Sequence, residues 1–386
     1  MPLILTQFAA SRGPMAAFVA IGAVWGAFMA TMPDIKAALD VDDGRLGQLL
    51  LFGSVMAIAM MALAPYLGGW LGRGAVPLGT AAMALGVALP AQAATPLLFI
   101  GAMLIMGGAS GAVDVWMNAR LSTIEAERSV SLMNLNHAIY SFAYAGAAAL
   151  TGVARAAGLS AAAILGMVAL VVFLLALASI ERDGRIDGFG RGKAAHGPIR
   201  LGAAPWLAGC LILVGFLTEN AAEAWSALYI ERDLGGGTGA GSAGPALLGL
   251  TMGIGRLAGQ LVAARVSDQA LMRGGLIVAG LGAALVVAAN GVIMAYAGFM
   301  VLGFGASVVV PTALAVAGRL APPGLRSHAI ARATMLGYLG FFLGPPVLGL
   351  TAQLAGLRMA YGLVALALLV GLVLRAQLAR HEPRQP

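Results

Sequence analysis

The sequence predicts an all-α integral membrane fold, with twelve transmembrane helices in two parallel six-helix repeats. Three observations predict it. The 386 residues are 60% hydrophobic and only 10% charged, whereas soluble domains carry about 25% charged residues. Apolar runs recur along nearly the whole chain, and a bilayer core about 30 Å thick needs about 20 such residues per spanning helix. The second half of the chain also repeats residues of the first half at a nearly constant offset, which indicates duplication.

Each predicted span is an apolar run bounded by polar or charged residues. The first span is expected to be retained, because MPLILTQFAASRGP has no basic segment ahead of a short apolar core, as a cleaved signal would have. Cys210 is the only cysteine and lies in an apolar run, so a disulfide framework is excluded. The twelve spans are residues 14–33, 46–70, 76–94, 97–118, 131–154, 160–180, 206–230, 245–264, 274–290, 292–317, 329–353 and 357–375.

The halves are joined by a polar stretch rich in Gly and Arg, which predicts a cytoplasmic linker over residues 181–204. The two halves are then residues 1–180 and 205–386. An offset of 200 superposes Trp25 on Trp225. An offset of 198 superposes Arg128 on Arg326, Ser129 on Ser327, Tyr140 on Tyr338, Gly146 on Gly344 and Leu150 on Leu348.

The net charge of +7 is explained by topology. If the N-terminus is cytoplasmic, most lysines and arginines fall on the cytoplasmic side, which is the positive-inside pattern. Both termini are therefore expected in the cytoplasm, in a bacterial inner membrane, and no nucleic-acid role is assigned. The basic residues left on the outer side are Lys36, Arg45, Arg155, Arg232 and Arg358.

Several motifs resemble those of the major facilitator superfamily over essentially the whole chain. The hallmark loop between the second and third spans has the counterpart PYLGGWLGR at 65–73. Gly72 and Arg73 match this motif, but Gly69 stands where its acid normally lies. The motifs DVWMN (114–118), HAIYS (137–141), WSALY (225–229) and ATMLGYLGFFLGPPVLG (333–349) resemble a bacterial subgroup of poorly characterised permeases, distantly related to copper and riboflavin importers.

The seventh span carries two acids, Glu219 and Glu223, in an otherwise apolar run. A charged side chain in the bilayer is costly, so an intramembrane acid is a functional candidate by default. Residues four apart share a helix face. Two acids so close repel when both are ionised, so one is expected to hold a proton near neutrality. A proton-coupling role is predicted, and the alternative is a residue at the outer helix end.

Arg256 lies in the middle of the eighth span, where a guanidinium needs a carboxylate or an anionic substrate. Glu219 or Glu223 on the preceding span is the expected partner. A structural ion pair and a substrate anchor are both open. The glycine-rich segments at 107–112 and 303–307 are expected to serve close helix packing.

Asp114 and Asn118 share a face near the cytoplasmic end of the fourth span. They are expected either to tether a loop containing Arg120 and Arg128, or to form a cytoplasmic gate together with Arg73. Asp34, next to Pro33, is expected to cap the outer end of the first span.

His137 shares a polar and aromatic face with Met133 and Tyr140. A histidine that titrates near neutrality suits proton handling or metal ligation, and the alternative is a hydrogen bond to a neighbouring helix. Met and His pairs four apart leave copper as a secondary substrate option, although methionine is also ordinary packing material. Trp25, Trp116 and Trp225 are expected to line a central cavity, with the repeat-related Trp25 and Trp225 favoured.

The resemblance and these residues together predict a secondary transporter that moves a small solute by alternating access, with coupling to protons expected. A transport-incompetent sensor or assembly factor on the same fold is the alternative. No phosphate-binding loop of an ATP-driven pump and no recognisable catalytic arrangement occurs in the sequence, so neither an enzyme nor a cofactor is expected, and a monomer is favoured. The predicted pathway residues are Glu219, Glu223, Arg256, His137, Trp25, Trp225, Tyr140 and Asn220, and the predicted gate residues are Asp114, Asn118 and Arg73.

Overall fold

The computed structural model describes residue 8 and residues 10–128, 132–186, 202–262, 265–321 and 325–381. All the regular structure in these ranges is helical, which confirms the predicted all-α class. The central part of the predicted linker, residues 187–201, and Ser129 of the repeat lie outside the described residues.

Seven α-helices with defined bounds lie in the described part of the first half of the chain, and one of them is short. Brief 3-10 turns at Gly72–Gly74 and Pro90–Gln92 follow α3 and α4. The helices are α1 (Arg12–Ala30), α2 (Met32–Leu39), α3 (Asp43–Leu71), α4 (Ala75–Ala88), α5 (Pro96–Arg128), α6 (Met133–Ala156) and α7 (Ala161–Ala178).

The second half forms another seven α-helices. The first of them continues into a π-helical turn over Tyr229–Asp233, and a 3-10 turn over Ala240–Ser242 leads into the next. The helices are α8 (Ala204–Leu228), α9 (Ala243–Val262), α10 (Asp268–Ala288), α11 (Val292–Ala306), α12 (Val309–Arg319), α13 (Arg326–Ala355) and α14 (Leu357–Ala379).

The fourteen α-helices named above form twelve membrane spans, as the sequence predicts. Helix α2 is too short to cross a bilayer, and α11 and α12 together form one interrupted span. Nine helical stretches among the described residues pass a test of length and apolarity for membrane crossing, and one of these, Asp43–Gln92, contains both α3 and α4. The two remaining spans, α6 and α9, carry His137 and Arg256 and do not pass that test.

Lipid exposure is clearest on α7, an apolar helix of which only Ile164, Leu165, Val172 and Ala176 are buried. The remaining surface exposes leucines and other large apolar side chains. A helix that is apolar all round and not covered by protein is suited to lipid and not to water. The protein is a multi-pass membrane protein.

The chain divides into two compact units. Unit 1 comprises Met1–Val41 and Leu49–Ala195, and unit 2 comprises Asp42–Gln48 and His196–Pro386. The boundary therefore does not follow the linker alone, because the first residues of α3 pack with the second half of the chain.

Glycine allows close helix contact at several points in both units. A Cβ atom at Gly107 of α5 would overlap the carbonyl oxygen of Gly53 in α3, and one at Gly305 of α11 would overlap the backbone of Ala279 in α10. The expected packing role of the two glycine-rich segments is therefore confirmed. Small residues let backbones approach where lipid supplies no hydrophobic drive between helices.

Two predicted spans differ from the observed helices in ways that have a clear physical reason. The fourth span was expected to end at residue 118, but α5 continues to Arg128, since a helix in water can extend beyond the bilayer edge. The tenth span is not continuous, because α11 ends at Ala306 and α12 begins at Val309. Pro311 has no N–H for the carbonyl four residues earlier, so it is accommodated in the first turn of a new helix.

Candidate functional site

Helix α8 lies at the centre of unit 2, where α9, α12, α13 and α14 pack around it. Most of its residues are buried, and these include Glu219 and Asn220. Its apolar sequence suits such a position, because a helix covered on every side needs no polar face. Any charged group on α8 must therefore find its partner inside unit 2.

The acids of α8 face α9. Glu219, Glu223 and Ser226 follow one another at spacings of four and three, so they share one face of the helix. A Cβ atom at Gly244 of α9 would lie 2.6 Å from Oγ of Ser226. Arg256, further along α9, reaches the same face of α8 near Glu219.

The predicted pairing of Arg256 with an acid of the preceding span is present. Nη2 of Arg256 lies 3.7 Å from Oε1 of Glu219, and the two side chains are 21% and 8% exposed. This separation exceeds that of an ordinary hydrogen bond, so the contact is an ion pair without tight geometry. Glu223 lies one turn from Glu219 on the same face of α8.

The charges of this cluster do not balance when both acids are ionised. Two carboxylates and one guanidinium leave one negative charge, and a single proton on either acid makes the cluster neutral. A charge that is left uncompensated in a low-dielectric interior is costly. The cluster can therefore hold one proton or, in its place, one positive charge from a ligand.

Three further polar atoms of α8 have no hydrogen-bond partner in the part of the chain that the structure describes. They are Oδ1 of Asn220, Nε1 of Trp225 and Oγ of Ser226, all buried. Leaving such a group unsatisfied costs about 1–3 kcal/mol. Asn220, Trp225 and Ser226 are therefore candidates for solute contacts, and only Asn220 and Trp225 among them were predicted from the sequence.

Unit 1 contains a second polar group, which joins His137 to Asp114 and Asn118, two residues that the sequence analysis assigned together to a different role. Asn118 donates from Nδ2 to the backbone carbonyl of Asp114 at 2.7 Å and to its Oδ1 at 3.2 Å. Oδ1 of Asn118 lies 3.2 Å from Nε2 of His137. Arg73 is exposed and lies beside Gly184.

The predicted tether of Arg120 by Asp114 and Asn118 was wrong. Arg120 and Arg128 belong to α5 itself and not to a loop. Arg120 donates from Nε to Oε2 of Glu181 at 2.7 Å and to the carbonyls of Asp183 and Arg185. Its partners follow α7 in the chain, so local spacing on α5 could not reveal them.

The tryptophans divide into packing and candidate pathway residues. The cavity role expected for Trp116 was wrong, because its Nε1 donates to the Ala64 carbonyl at 2.7 Å and its ring covers Gly79. Trp25 is half-buried and meets Phe28 edge-on, with ring centroids 5.8 Å apart. Tyr140 is half-buried in unit 1.

The sequence also contained no indication of ion pairs between residues far apart in the chain. Arg155 donates to both carboxylate oxygens of Asp34 at 2.7 Å, so the cap expected at Asp34 was wrong. Thr31 instead occupies the C-cap of α1, and its hydroxyl donates to the Phe28 carbonyl at 2.9 Å. Within unit 2, Arg232 donates from Nη1 to both oxygens of Asp43 at 2.7 and 2.8 Å. No local pattern links partners so distant in the chain.

Comparison with known proteins agrees with this architecture. Residues 258–386 match the sequence profile of the Major Facilitator Superfamily. An uncharacterised MFS-type transporter of Yersinia pestis is 30% identical over 364 residues, which span 92% of this chain and 91% of the relative. The chain belongs to the major facilitator superfamily. Membrane protein MosC of Rhizobium meliloti is 27% identical to this superfamily member over 379 residues, with 95% and 89% of the two chains covered.

Solved transporters share the fold of this major facilitator protein at low sequence identity. A bacterial homologue of the human lysosomal transporter Spinster has a TM-score of 0.74 and 12% identity, with 98% and 97% of the two chains covered. The nucleoside transporter NupG has a TM-score of 0.70 and 14% identity over 96% and 98%. The fucose:proton symporter FucP of E. coli has a TM-score of 0.66 and 15% identity over 96% and 99%. The protein is a membrane transporter of the MFS type.

Proposed function

We propose that this transporter moves a small solute across the bacterial inner membrane by alternating access, coupled to protons, with Glu219 as the coupling acid. The observation that carries the proposal is the contact between the buried Glu219 and the partly exposed Arg256, with Glu223 one turn away on the same helix face. The bacterial relatives and the positive-inside pattern support this membrane and the cytoplasmic placement of both termini.

The net charge of the Glu219, Glu223 and Arg256 cluster couples solute binding to protonation. With Glu219 ionised, Arg256 has its partner and Glu223 holds the proton that keeps the cluster neutral. Protonation of Glu219 as well gives the cluster one positive charge, which an anionic acceptor group of the solute can balance by binding Arg256. A loose ion contact at 3.7 Å suits such an exchange better than a short bidentate pair, because less hydrogen-bond energy is lost when it opens.

The other pathway residues supply hydrogen bonds and flat surfaces. Asn220 and Trp225 carry buried polar atoms that lack partners among the described residues, and these would bond the solute. Trp25, Tyr140 and His137 are the proposed pathway residues of unit 1. The same fold serves proton symport in the fucose:proton symporter, which supports proton coupling here as a mechanism.

The test uses purified protein reconstituted as a monomer in liposomes that contain a pH-sensitive dye. A panel of sugars, organic acids, amino acids, nucleosides, flavins and Cu(I) is added outside. We expect one solute class to drive a pH change inside wild-type liposomes and none inside liposomes with Glu219→Gln. Glu127→Gln is the matched control, because Glu127 is an exposed acid at the end of α5.

Each other outcome rejects part of the proposal. Solute uptake without proton movement in the wild type would reject coupling, and normal coupling in Glu219→Gln would reject the role of that acid. Thermal unfolding with the same panel tests binding, because a solute that binds the native state must stabilise it against heat. If no solute on the panel stabilised the protein, the sensor or assembly role would replace transport.

A further inference from the structure

One face of α8 combines an aromatic ring, an amide and two acids over two helical turns. Phe216, Glu219, Asn220 and Glu223 follow one another at spacings of three, one and three, so they share this face. We propose that the face is a binding site for an organic cation, a protonated amine that carries an aromatic ring. That this cation is the transported solute rests on the proposed function, whereas the binding site does not.

The acids supply the counter-charge for such a cation. Glu219 has a positive partner already, because Nη2 of Arg256 lies 3.7 Å from its Oε1. Glu223 adds a second carboxylate one turn further on, and Arg256 is the one basic residue of α9. With both acids ionised the cluster has one negative charge, which one bound cation balances. In the neutral cluster the cation takes the place of one proton, which returns to water.

A buried acceptor lies beside the acids. Asn220 is 5% exposed, and its Oδ1 has no hydrogen-bond partner among the residues that the structure describes. A Cβ atom at Gly344 of α13 would lie 2.9 Å from this oxygen, so the oxygen is directed towards α13. A buried acceptor without a partner is costly. A protonated amine removes that cost, because an ammonium group has three N–H donors and no acceptor.

Three aromatic rings adjoin this oxygen where α8 and α13 meet. The ring centroid of Phe216 lies 4.6 Å from that of Phe341 and 5.3 Å from that of Tyr338. Phe216 lies one turn before Asn220 on α8, and Phe341 lies one turn before Gly344 on α13, so the rings and the amide oxygen are neighbours. All three rings remain partly exposed. Aromatic faces attract a cation and stack on a flat solute.

The exposure of Glu223 indicates which side of α8 is open. Glu223 is half-buried, although four other helices pack around α8. An acid of a membrane-spanning helix avoids lipid and opens to a polar cavity. Phe216 lies seven residues before Glu223, which is two helical turns, so its partly exposed ring borders the same opening. A solute that enters there meets the rings, the amide oxygen and the carboxylate together.

The other helices around α8 add no second charge in their middle parts. Tyr361 of α14 faces α8, but its hydroxyl donates to the Ala221 carbonyl at 3.2 Å. The charged and histidine side chains of α12, α13 and α14 lie within two turns of a helix end. They are Arg319, Arg326, His328, Arg332, Arg358 and Arg375.

These groups favour an organic cation over a metal ion. The described part of the chain contains no group of three or more His, Cys, Asp or Glu side chains that could hold a metal ion. A hard metal cation takes oxygen ligands, so the three rings would contribute nothing to its binding. An anionic group would meet two carboxylates and an amide oxygen on this face, and its place is at Arg256, as the proposed function describes.

Binding of three small probes to the purified full-length protein separates the charge from the ring. Phenethylamine is an aromatic cation, phenethyl alcohol has the same ring without the charge, and propylamine has the charge without the ring. We expect phenethylamine to bind at least about tenfold more tightly than either of the others, because it alone meets both the acids and the rings. Isothermal titration calorimetry in detergent measures the three dissociation constants.

Two conservative variants test the two parts of the site. Glu223→Gln should remove the preference for phenethylamine over phenethyl alcohol, because the amide keeps the shape of the side chain without its charge. Glu127→Gln at the exposed end of α5 is its control. Phe216→Leu should bring the affinity for phenethylamine close to that for propylamine. Phe304→Leu is its control, because Phe304 is an exposed ring of α11 outside the cluster.

Asn220→Leu separates a binding role from a structural one. Leucine is of similar size and removes the buried oxygen that lacks a partner, so the variant should be at least as stable as the wild type. It should nevertheless bind phenethylamine at least about threefold more weakly, since one hydrogen bond is lost. Thermal unfolding and calorimetry of the same sample measure the two effects. Wild-type affinity in this variant would overturn the role of the amide.

The wild type alone can overturn the proposal, so the test does not depend on whether variants fold. Equal affinities for phenethylamine and phenethyl alcohol would do so, and so would a lack of phenethylamine binding. The transport assay, with phenethylamine added and protein-free liposomes as the blank, separates this inference from the proposed function. If phenethylamine binds as expected but no solute drives a pH change, the proposed coupling falls and the cation site stands. If only solutes without an amine drive the pH change, the proposed function stands and the cation as its solute falls.

Discussion

Nη2 of Arg256 lies 3.7 Å from Oε1 of Glu219, inside a unit where α8 is covered by four other helices. Arg256 is the one arginine of α9, and its partner Glu219 is an acid whose ionised form would be costly in the bilayer without a counter-charge. Removing either partner changes the charge balance of the cluster that Glu219, Glu223 and Arg256 form, so the pair can be tested through stability as well as transport.

Arg256→Gln should destabilise the protein more above neutral pH than below it. Without the guanidinium, Glu219 and Glu223 repel each other when both are ionised, and protonation relieves them at low pH. We expect a loss of about 2 kcal/mol at high pH, less than for a fully buried pair because Arg256 is partly exposed. Thermal unfolding in detergent at several pH values measures this loss of stability. The double variant Glu219→Gln/Arg256→Gln is expected to recover part of the loss, because it has one carboxylate fewer. A loss independent of pH would contradict this account.

Asp34→Asn should destabilise unit 1 by about 2 kcal/mol, because it leaves the buried Arg155 guanidinium without its carboxylate. Arg155 is 1% exposed in its side chain, whereas Asp34 is 34% exposed, so the loss should stay below that of a fully buried pair. The melting temperature measures the effect. Asp40→Asn is the control, since Asp40 is exposed and adopts a left-handed conformation that asparagine tolerates. Equal melting temperatures for the two variants would refute the prediction.

Arg120→Gln should release the segment that follows α7. The Arg120 guanidinium holds Glu181 and the carbonyls of Asp183 and Arg185, and glutamine cannot reach all three with charged donors. We expect trypsin to cut faster after Arg182 and Arg185, as followed by mass spectrometry. Arg128→Gln on the same helix is the control, because Arg128 is exposed. Unchanged cleavage at both sites would count against a role for Arg120 in holding this segment.

Gly107→Ala should destabilise the packing of α5 on α3 by about 1–3 kcal/mol, because the new methyl group meets the Gly53 carbonyl. Gly101→Ala on the same helix is the control, since no atom lies within 4 Å of its Cβ position. That change should be neutral or stabilising by up to about 1 kcal/mol through helix propensity. The melting temperatures of both variants in detergent provide the comparison. A stable Gly107→Ala protein would show that the helices can separate at little cost.

Much of the fold could be predicted because burial in lipid is a local property. Twelve apolar runs predict twelve spans whatever their mutual packing, and the interruption at Ser307 was missed because the run itself continues through it. The intramembrane charges of Glu219 and Arg256 were also visible in the sequence, since each lies within an apolar run. Even their pairing could be predicted, because adjacent spans in the chain tend to be neighbours.

The sequence by itself determined the membrane class, the number of spans and the residues that lipid would not accept. Only the tertiary structure decided which distant groups satisfy one another. Asp34 and Arg155 are 121 positions apart, and Arg120 and Glu181 are 61 apart. Asn118 joins His137 because of how α5 and α6 are rotated against each other. Hydropathy is read along one helix, whereas a hydrogen bond depends on the faces that two helices present, which only their packing sets.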